Sequence, residues 1–120
     1  LVLLPGERVF RGTDGEALRL NERTAGKSGR RKLAMTDWDG DGDLDLLANS
    51  TNVELWRNVA TEPGAYIFEN AGNLSPHKLA GHTTCPTVVD WNEDGVPDLL
   101  VGAEDGYFYY AENPRGASRE

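Results

Sequence analysis

The chain has 120 residues, 38% hydrophobic and 27% charged, which allows one ordinary domain with a modest core and excludes a disordered polymer. A net charge of −8 argues against nucleic acid as a partner, and a lone cysteine, Cys85, excludes a disulfide framework and Cys-based zinc sites. No run approaches the roughly 18 apolar residues that a membrane-spanning helix needs, so no membrane span is expected.

Helix formers are concentrated nowhere. Fourteen Gly, six Pro and several Asn/Asp clusters punctuate the sequence every few residues, as in an all-β protein with many turns. The opening Leu1-Val2-Leu3-Leu4-Pro5 is too short for a signal peptide and lacks a basic start. With no initiator Met, the chain reads as a piece of a longer or processed protein.

In chain order, Leu1 to Leu4 and Arg8 to Arg11 are two short extended segments. A basic loop follows, Gly26-Lys-Ser-Gly-Arg-Arg-Lys32, with Lys27, Arg30, Arg31 and Lys32 clustered in an otherwise acidic chain. It is not a phosphate-binding loop, because position 21 is Asn where the first glycine of that pattern belongs. Lys32 to Thr36 then forms strand A and runs into an acidic window, Asp37 to Asp45; Leu44 to Asn49 leaves it as strand B. Thr51-Asn52 makes a tight turn, Val53 to Asn58 alternates as strand C, and Tyr66 to Glu69 is strand D.

The pattern then recurs. Asp37 to Leu47 aligns with Asp90 to Leu100 at a shift of 53 residues, with seven of eleven positions identical. Thr87 to Val89, Asp98 to Ala103 and Tyr107 to Ala111 are the matching strands of this second, incomplete copy. A period near 50 residues with four antiparallel strands per repeat is the signature of propeller blades. The expected fold is all-β, about two four-stranded antiparallel blades of a β-propeller. Residues 1–24 are the tail of a preceding blade, 25–79 the first repeat, 80–113 the second and 114–120 a polar tail.

Each acidic window reads Asp-x-(Asp/Asn)-x-Asp-Gly-x-x-Asp. Calcium is a hard cation taking six to eight oxygens, and side chains at alternate positions of a tight loop converge on one point. The candidate ligands are Asp37, Asp39, Asp41, the carbonyl of Asp43, and Asp45, then Asp90, Asn92, Asp94, the carbonyl of Val96, and Asp98. Without a cation, such clustered carboxylates repel one another. The windows hold nine of the twenty acidic residues, so two Ca²⁺ ions would bring the net charge from −8 to −4. An EF-hand is excluded because position 12 is Ala48 or Val101 rather than Glu. Dockerin-type loops lead into helices, and thrombospondin-type repeats recur more densely with cysteines.

The two windows, the Leu46-Leu47 and Leu99-Leu100-Val101-Gly102 that follow them, and the 53-residue spacing resemble the FG-GAP/VCBS-type calcium-binding β-propeller repeats. Such repeats occur in integrin α-subunit heads, rhamnogalacturonan lyases and lectins. The resemblance covers about residues 25–113, with one departure, Asn49-Ser50 in place of Gly102-Ala103. It implies an extracellular binding or scaffold module for an anionic glycan or a protein. Two alternatives are part of a polysaccharide-lyase-like enzyme with its catalytic residues elsewhere, and a structural subunit of a self-assembling oligomer. Further blades, in cis or in trans, are expected partners. In the resembling propellers the face opposite the calcium loops carries ligand sites, which makes Lys27, Arg30, Arg31 and Lys32 the candidate ligand-binding group.

Other residues read as structural. Trp38 and Trp91 follow the first ligand of each window and are expected to pack. Alternation along Tyr107-Phe108-Tyr109-Tyr110 predicts a half-buried strand rather than a sugar-stacking face. Cys85 is expected to be a small buried residue. His77 and His82 lack a nucleophile pattern or a repeated partner.

Overall fold

The computed structural model describes residues 1–20, 30–79 and 83–116. Among these there are eight β-strands and no helix, in two sheets. The strands are β1 (Phe10–Gly12), β2 (Leu33–Thr36), β3 (Asp45–Asn49), β4 (Val53–Asn58), β5 (Tyr66–Asn73), β6 (Thr84–Val89), β7 (Asp98–Ala103) and β8 (Phe108–Ala111).

The first sheet runs β1-β5-β4-β3-β2, with β2 to β5 antiparallel as a four-stranded blade. Both acidic windows are connections between antiparallel neighbours, β2 to β3 and β6 to β7. The second sheet, β6-β7-β8, has the strands of the incomplete copy. Strand C falls on Val53–Asn58 as expected, and strand B, expected from Leu44, begins at Asp45.

Three details differ from expectation. Leu1 to Leu4 form no strand, and Phe10–Gly12, rather than Arg8 to Arg11 of a separate blade, adds to the first sheet parallel to β5. The aromatic edge of β5 explains this: the Phe10 ring meets Tyr66 at 5.6 Å and Phe68 at 5.3 Å, both edge-on. Strand β6 begins at Thr84, ahead of Pro86, because β6 is the edge of its sheet and a missing N–H there costs no ladder bond. Strand β5 runs on to Asn73 through a register shift opposite Leu55/Trp56.

The core lies between the two sheets. Leu47, Val53 and Leu55 of the first meet Leu99 and Val101 of the second, with Trp38 in the same cluster and Ala34, Val88 and Tyr109 packed against it. Each such aliphatic side chain contributes roughly 1.5–3 kcal/mol on burial. The Asn49-Ser50 departure joins the copies at the far end of β3. Lys32 N–H donates to the Asn49 amide oxygen at 2.8 Å, the Asn49 amide donates to Thr83, and Thr84 N–H donates to the Ser50 carbonyl at 3.2 Å.

Candidate metal centres

In the first window Asp37 anchors the turn. Its Oδ1 accepts the N–H of Gly40 at 2.7 Å and of Asp41 at 3.1 Å, and its Oδ2 accepts Gly42 N–H at 3.0 Å. Asp39 Oδ1 accepts Asp41 N–H at 3.2 Å, and Asp41 Oδ1 accepts Asp43 N–H at 2.9 Å. The second window repeats four of these five bonds from Asp90, Asn92 and Asp94. Asp90 accepts the N–H groups of Asp94 and Gly95 at 3.1 and 2.9 Å, Asn92 accepts Asp94 N–H at 3.2 Å, and Asp94 accepts Val96 N–H at 2.8 Å. These side-chain-to-backbone bonds wrap each loop around its own carboxylates.

The wrapping demands left-handed backbone at window positions 4 and 6. Gly42 and Gly95 supply it at position 6, with φ of 96° and 86°. At position 4, Gly40 has φ 83° while Glu93 takes φ 59° against the preference of an L-residue.

Position 9 closes each loop from within the sheet. Asp45 and Asp98 are fully buried. Asp45 Oδ2 accepts Trp38 N–H at 2.9 Å and Asp39 N–H at 3.4 Å, and its Oδ1 accepts Asn58 N–H at 2.9 Å. Asp98 accepts Trp91 N–H at 3.2 Å, Asn113 N–H at 2.9 Å and the Tyr110 hydroxyl at 3.0 Å. Burial pushes the Asp45 carboxyl up, against the N–H groups of Asn58 and Trp38. Burial acts the same way on Asp98, but Asn113 N–H, the Tyr110 hydroxyl and Trp91 N–H outweigh it and hold that carboxyl low. The Tyr110 hydroxyl is pushed up to about 12 by burial and its bond to Asp98.

Asp37, Asp39 and Asp45 each bring a carboxylate oxygen within 4.8 Å of the others. Asp41 and Asp43 stand exposed on the loop, outside that cluster. The donor set is hard oxygen throughout, which suits calcium. In the second window the position-3 donor is the Asn92 amide, whose nitrogen donates to Asp94 Oδ2 at 3.2 Å and to Glu112 Oε1 at 3.1 Å.

Four contributors escaped the sequence reading. Arg57, on strand β4, pairs with Asp39 through Nη2 and Nε, each at 3.1 Å. Glu112 stands at the corresponding place beside the second window. Asn58 and Asn113 buckle the ends of the loops to the sheets. Their recurrence 13 and 15 residues after Asp45 and Asp98 was the available signal.

The basic cluster is at the other end of the first sheet. Arg31 Nη1 donates to the carbonyl of Asn49, the last residue of β3, at 2.9 Å; Arg30 and Lys32 are exposed, and Lys27 lies outside the described residues. Arg31 lines a groove of about 1300 Å³ with Arg8 and Arg19, but also with Glu7, Asp14, Glu16 and Glu69. Among the described residues the groove is therefore of mixed charge. His77 is exposed, and His82 lies outside the described residues.

Trp38 packs as expected, but Trp91 is 62% exposed. Of the aromatic run only Tyr109 packs against the core; Tyr107, Phe108 and Tyr110 are exposed. Cys85 is exposed too, because it alternates with Thr84 and Pro86, which take the buried side of β6.

A family model described as FG-GAP-like repeat matches residues 37–101, just over half of the chain. No curated protein and no solved structure matches the chain. The matched span runs from the first residue of one acidic window through the whole of the other, and by that match the chain belongs to the FG-GAP-like repeat family.

Proposed function

We propose that the chain is a calcium-binding, β-propeller-type module that serves as a binding or scaffold unit outside the cytoplasm. The carrying observation is the duplicated loop: two windows with the same Asp-centred turns, one gathering three carboxylates within 4.8 Å. A bound cation would offset the repulsion among these carboxylates. Asp37, Asp39, Asp41, Asp45 and the Asp43 carbonyl would hold one ion. Asp90, Asn92, Asp94, Asp98 and the Val96 carbonyl would hold the other. Calcium bound there neutralises the loops and fixes their path. Each carboxylate has about four lone-pair sites, so the two position-9 carboxylates, each accepting three hydrogen bonds, keep capacity for a metal.

Calcium available outside the cell suits this role. Arg30, Arg31 and Lys32, at the end of the sheet away from the loops, are the proposed contact for an anionic glycan or protein ligand. The mixed groove beside them favours a ligand that also carries hydrogen-bonding groups. Isothermal titration calorimetry tests the metal reading. Two calcium ions should bind the wild-type chain and one should bind Asp41→Ala or Asp94→Ala. No binding heat by the wild type would end it.

A further inference from the structure

The turn after β8, Asn113-Pro114-Arg115-Gly116, touches both acidic windows. It closes on itself through Gly116 N–H to the Asn113 carbonyl at 2.8 Å and Arg115 N–H to the Asn113 amide oxygen at 3.0 Å. It meets the second window at two ligand positions. Asn113 N–H donates to Asp98 Oδ1 at 2.9 Å, and Gly116 lies so near Asp94 Oδ2 that a Cβ there would collide with it. It meets the first window where that loop begins. Asn113 Nδ2 donates to the Trp38 carbonyl at 3.0 Å, and Arg115 Nε and Nη2 donate to the carbonyls of Trp38 and Asp37 at 3.3 and 3.1 Å. The Arg115 side chain also covers Gly40, where a Cβ would come within 2.9 Å of it.

The repeat itself does not require such a bridge. Asn58 makes the same backbone bond to Asp45 that Asn113 makes to Asp98, but its amide donates within its own repeat, to the Ala65 carbonyl at 3.3 Å. The buried Asn113 amide instead divides its two donors between the repeats, one on the Pro97 carbonyl at 3.0 Å and one on Trp38.

We propose that this turn couples the two calcium sites, so that an ion in either loop raises the affinity of the other. The proposal rests on the calcium reading above and adds how the two sites regulate each other.

The order of contacts sets the sign. Calcium at the second loop holds Asp94 and Asp98 in place, and these two carboxylates are what Gly116 and Asn113 rest on. A fixed turn in turn holds the Asp37 and Trp38 carbonyls, and with them the path of the first loop. The first ion to bind therefore orders the shared turn as well as its own loop, and the next ion finds the turn already ordered. Linkage makes the effect equal in both directions, and couplings of this kind change affinity about fivefold or more. Arg115 is a positioning residue here, because it holds main chain of the first loop and none of its carboxylates.

Calcium titration calorimetry on the whole chain tests this. The product of the two stepwise association constants of the wild type, divided by the constants of the single-loop chains Asp41→Ala and Asp94→Ala, is the coupling factor. It should be about five or more. The same three chains carrying Arg115→Ala should give a factor less than half as large. Removing that cation also tightens the first loop by itself, but this gain enters both the product and the divisor and cancels. Arg115 is exposed, so Arg115→Ala should keep its β-sheet circular dichroism. A merely structural role for Arg115 would lower stability and leave the factor as it was. A wild-type factor of one would overturn the coupling while the calcium reading stood, since each single-loop chain would still bind one ion. An undiminished factor with Arg115→Ala would overturn the turn as its carrier. No binding heat from any of the chains would end the calcium reading and the coupling with it.

Discussion

The two acidic windows share a backbone path but meet different neighbours, and the differences follow the neighbours. The first lies under Arg115 and carries Gly40 at position 4; the second carries Glu93 there. The first has Asp39 at position 3 beside Arg57, and the second has Asn92 beside Glu112. Charge has moved between loop and strand, so that each position-3 side chain still has a complementary partner. Position 9 does not vary: Asp45 and Asp98 are buried, and each accepts two or more backbone N–H groups. The comparison separates what the repeat requires from what each site adjusts.

The largest expected effect is at position 9. Asp45→Ala leaves three backbone N–H groups without their acceptor, at about 1–3 kcal/mol each. The variant should lose at least about 3 kcal/mol in urea unfolding with chelator present, and Asp98→Ala a comparable amount. Asp41→Ala, at an exposed position, should lose far less under the same conditions. Equal losses at positions 5 and 9 would show that the buried carboxylates are metal ligands only.

Asparagine at the same positions distinguishes the two loops. The metal-free fold holds Asp98 low, so that carboxylate contributes stability above the ordinary carboxylate range and loses it as pH falls through its lowered value. Asp45 is held high; the fold favours its protonated form, and that contribution is lost as pH rises through the raised value. At pH 7 in chelator, Asp98→Asn should therefore be more destabilising than Asp45→Asn. The gap should close on acidification. A gap that widens would contradict the assignment.

Position 4 should give a smaller pair of effects with opposite signs. Gly40→Ala puts a Cβ at φ 83° and against Arg115, and should cost about 1–2 kcal/mol. Glu93→Gly relieves left-handed backbone and should gain about 1 kcal/mol. Thermal unfolding measures both.

The smallest effects are at position 3. Arg57 is half exposed, so its pair with Asp39 contributes about 0–1 kcal/mol. Arg57→Ala should tighten calcium at the first loop up to about fivefold by removing a competing cation, and Glu112→Gln should weaken the second loop by a similar factor. Both changes should shrink in high salt. Calorimetry on chains retaining a single loop reads each factor directly.

Local signals found most of this arrangement. Val53 to Asn58 and Asp98 to Ala103 are short apolar-rich runs bounded by turn residues, so their bounds were legible to the residue. Gly42 and Gly95 mark the loops because few other residues take their φ. Contacts between distant segments left no local trace. Nothing around Phe10 announces a parallel partner 56 residues away at Tyr66. Trp91 holds the same repeat position as Trp38; the sheet that covers Trp38 and leaves Trp91 open is a tertiary fact. The strand expected to begin at Thr87 begins at Thr84, because the pattern does not show that it is an edge, where Pro86 is tolerated.

Thermal unfolding in saturating calcium and in chelator tests the twin-site account most directly. Binding to the folded state alone adds roughly 2.7 kcal/mol per site at a hundredfold excess over Kd. Calcium should therefore raise the unfolding free energy of the wild type by about 5 kcal/mol, and of Asp41→Ala or Asp94→Ala by about half as much. A wild-type transition that calcium and chelator leave at the same temperature would contradict the account, because loops that hold the ion only when folded cannot be indifferent to it.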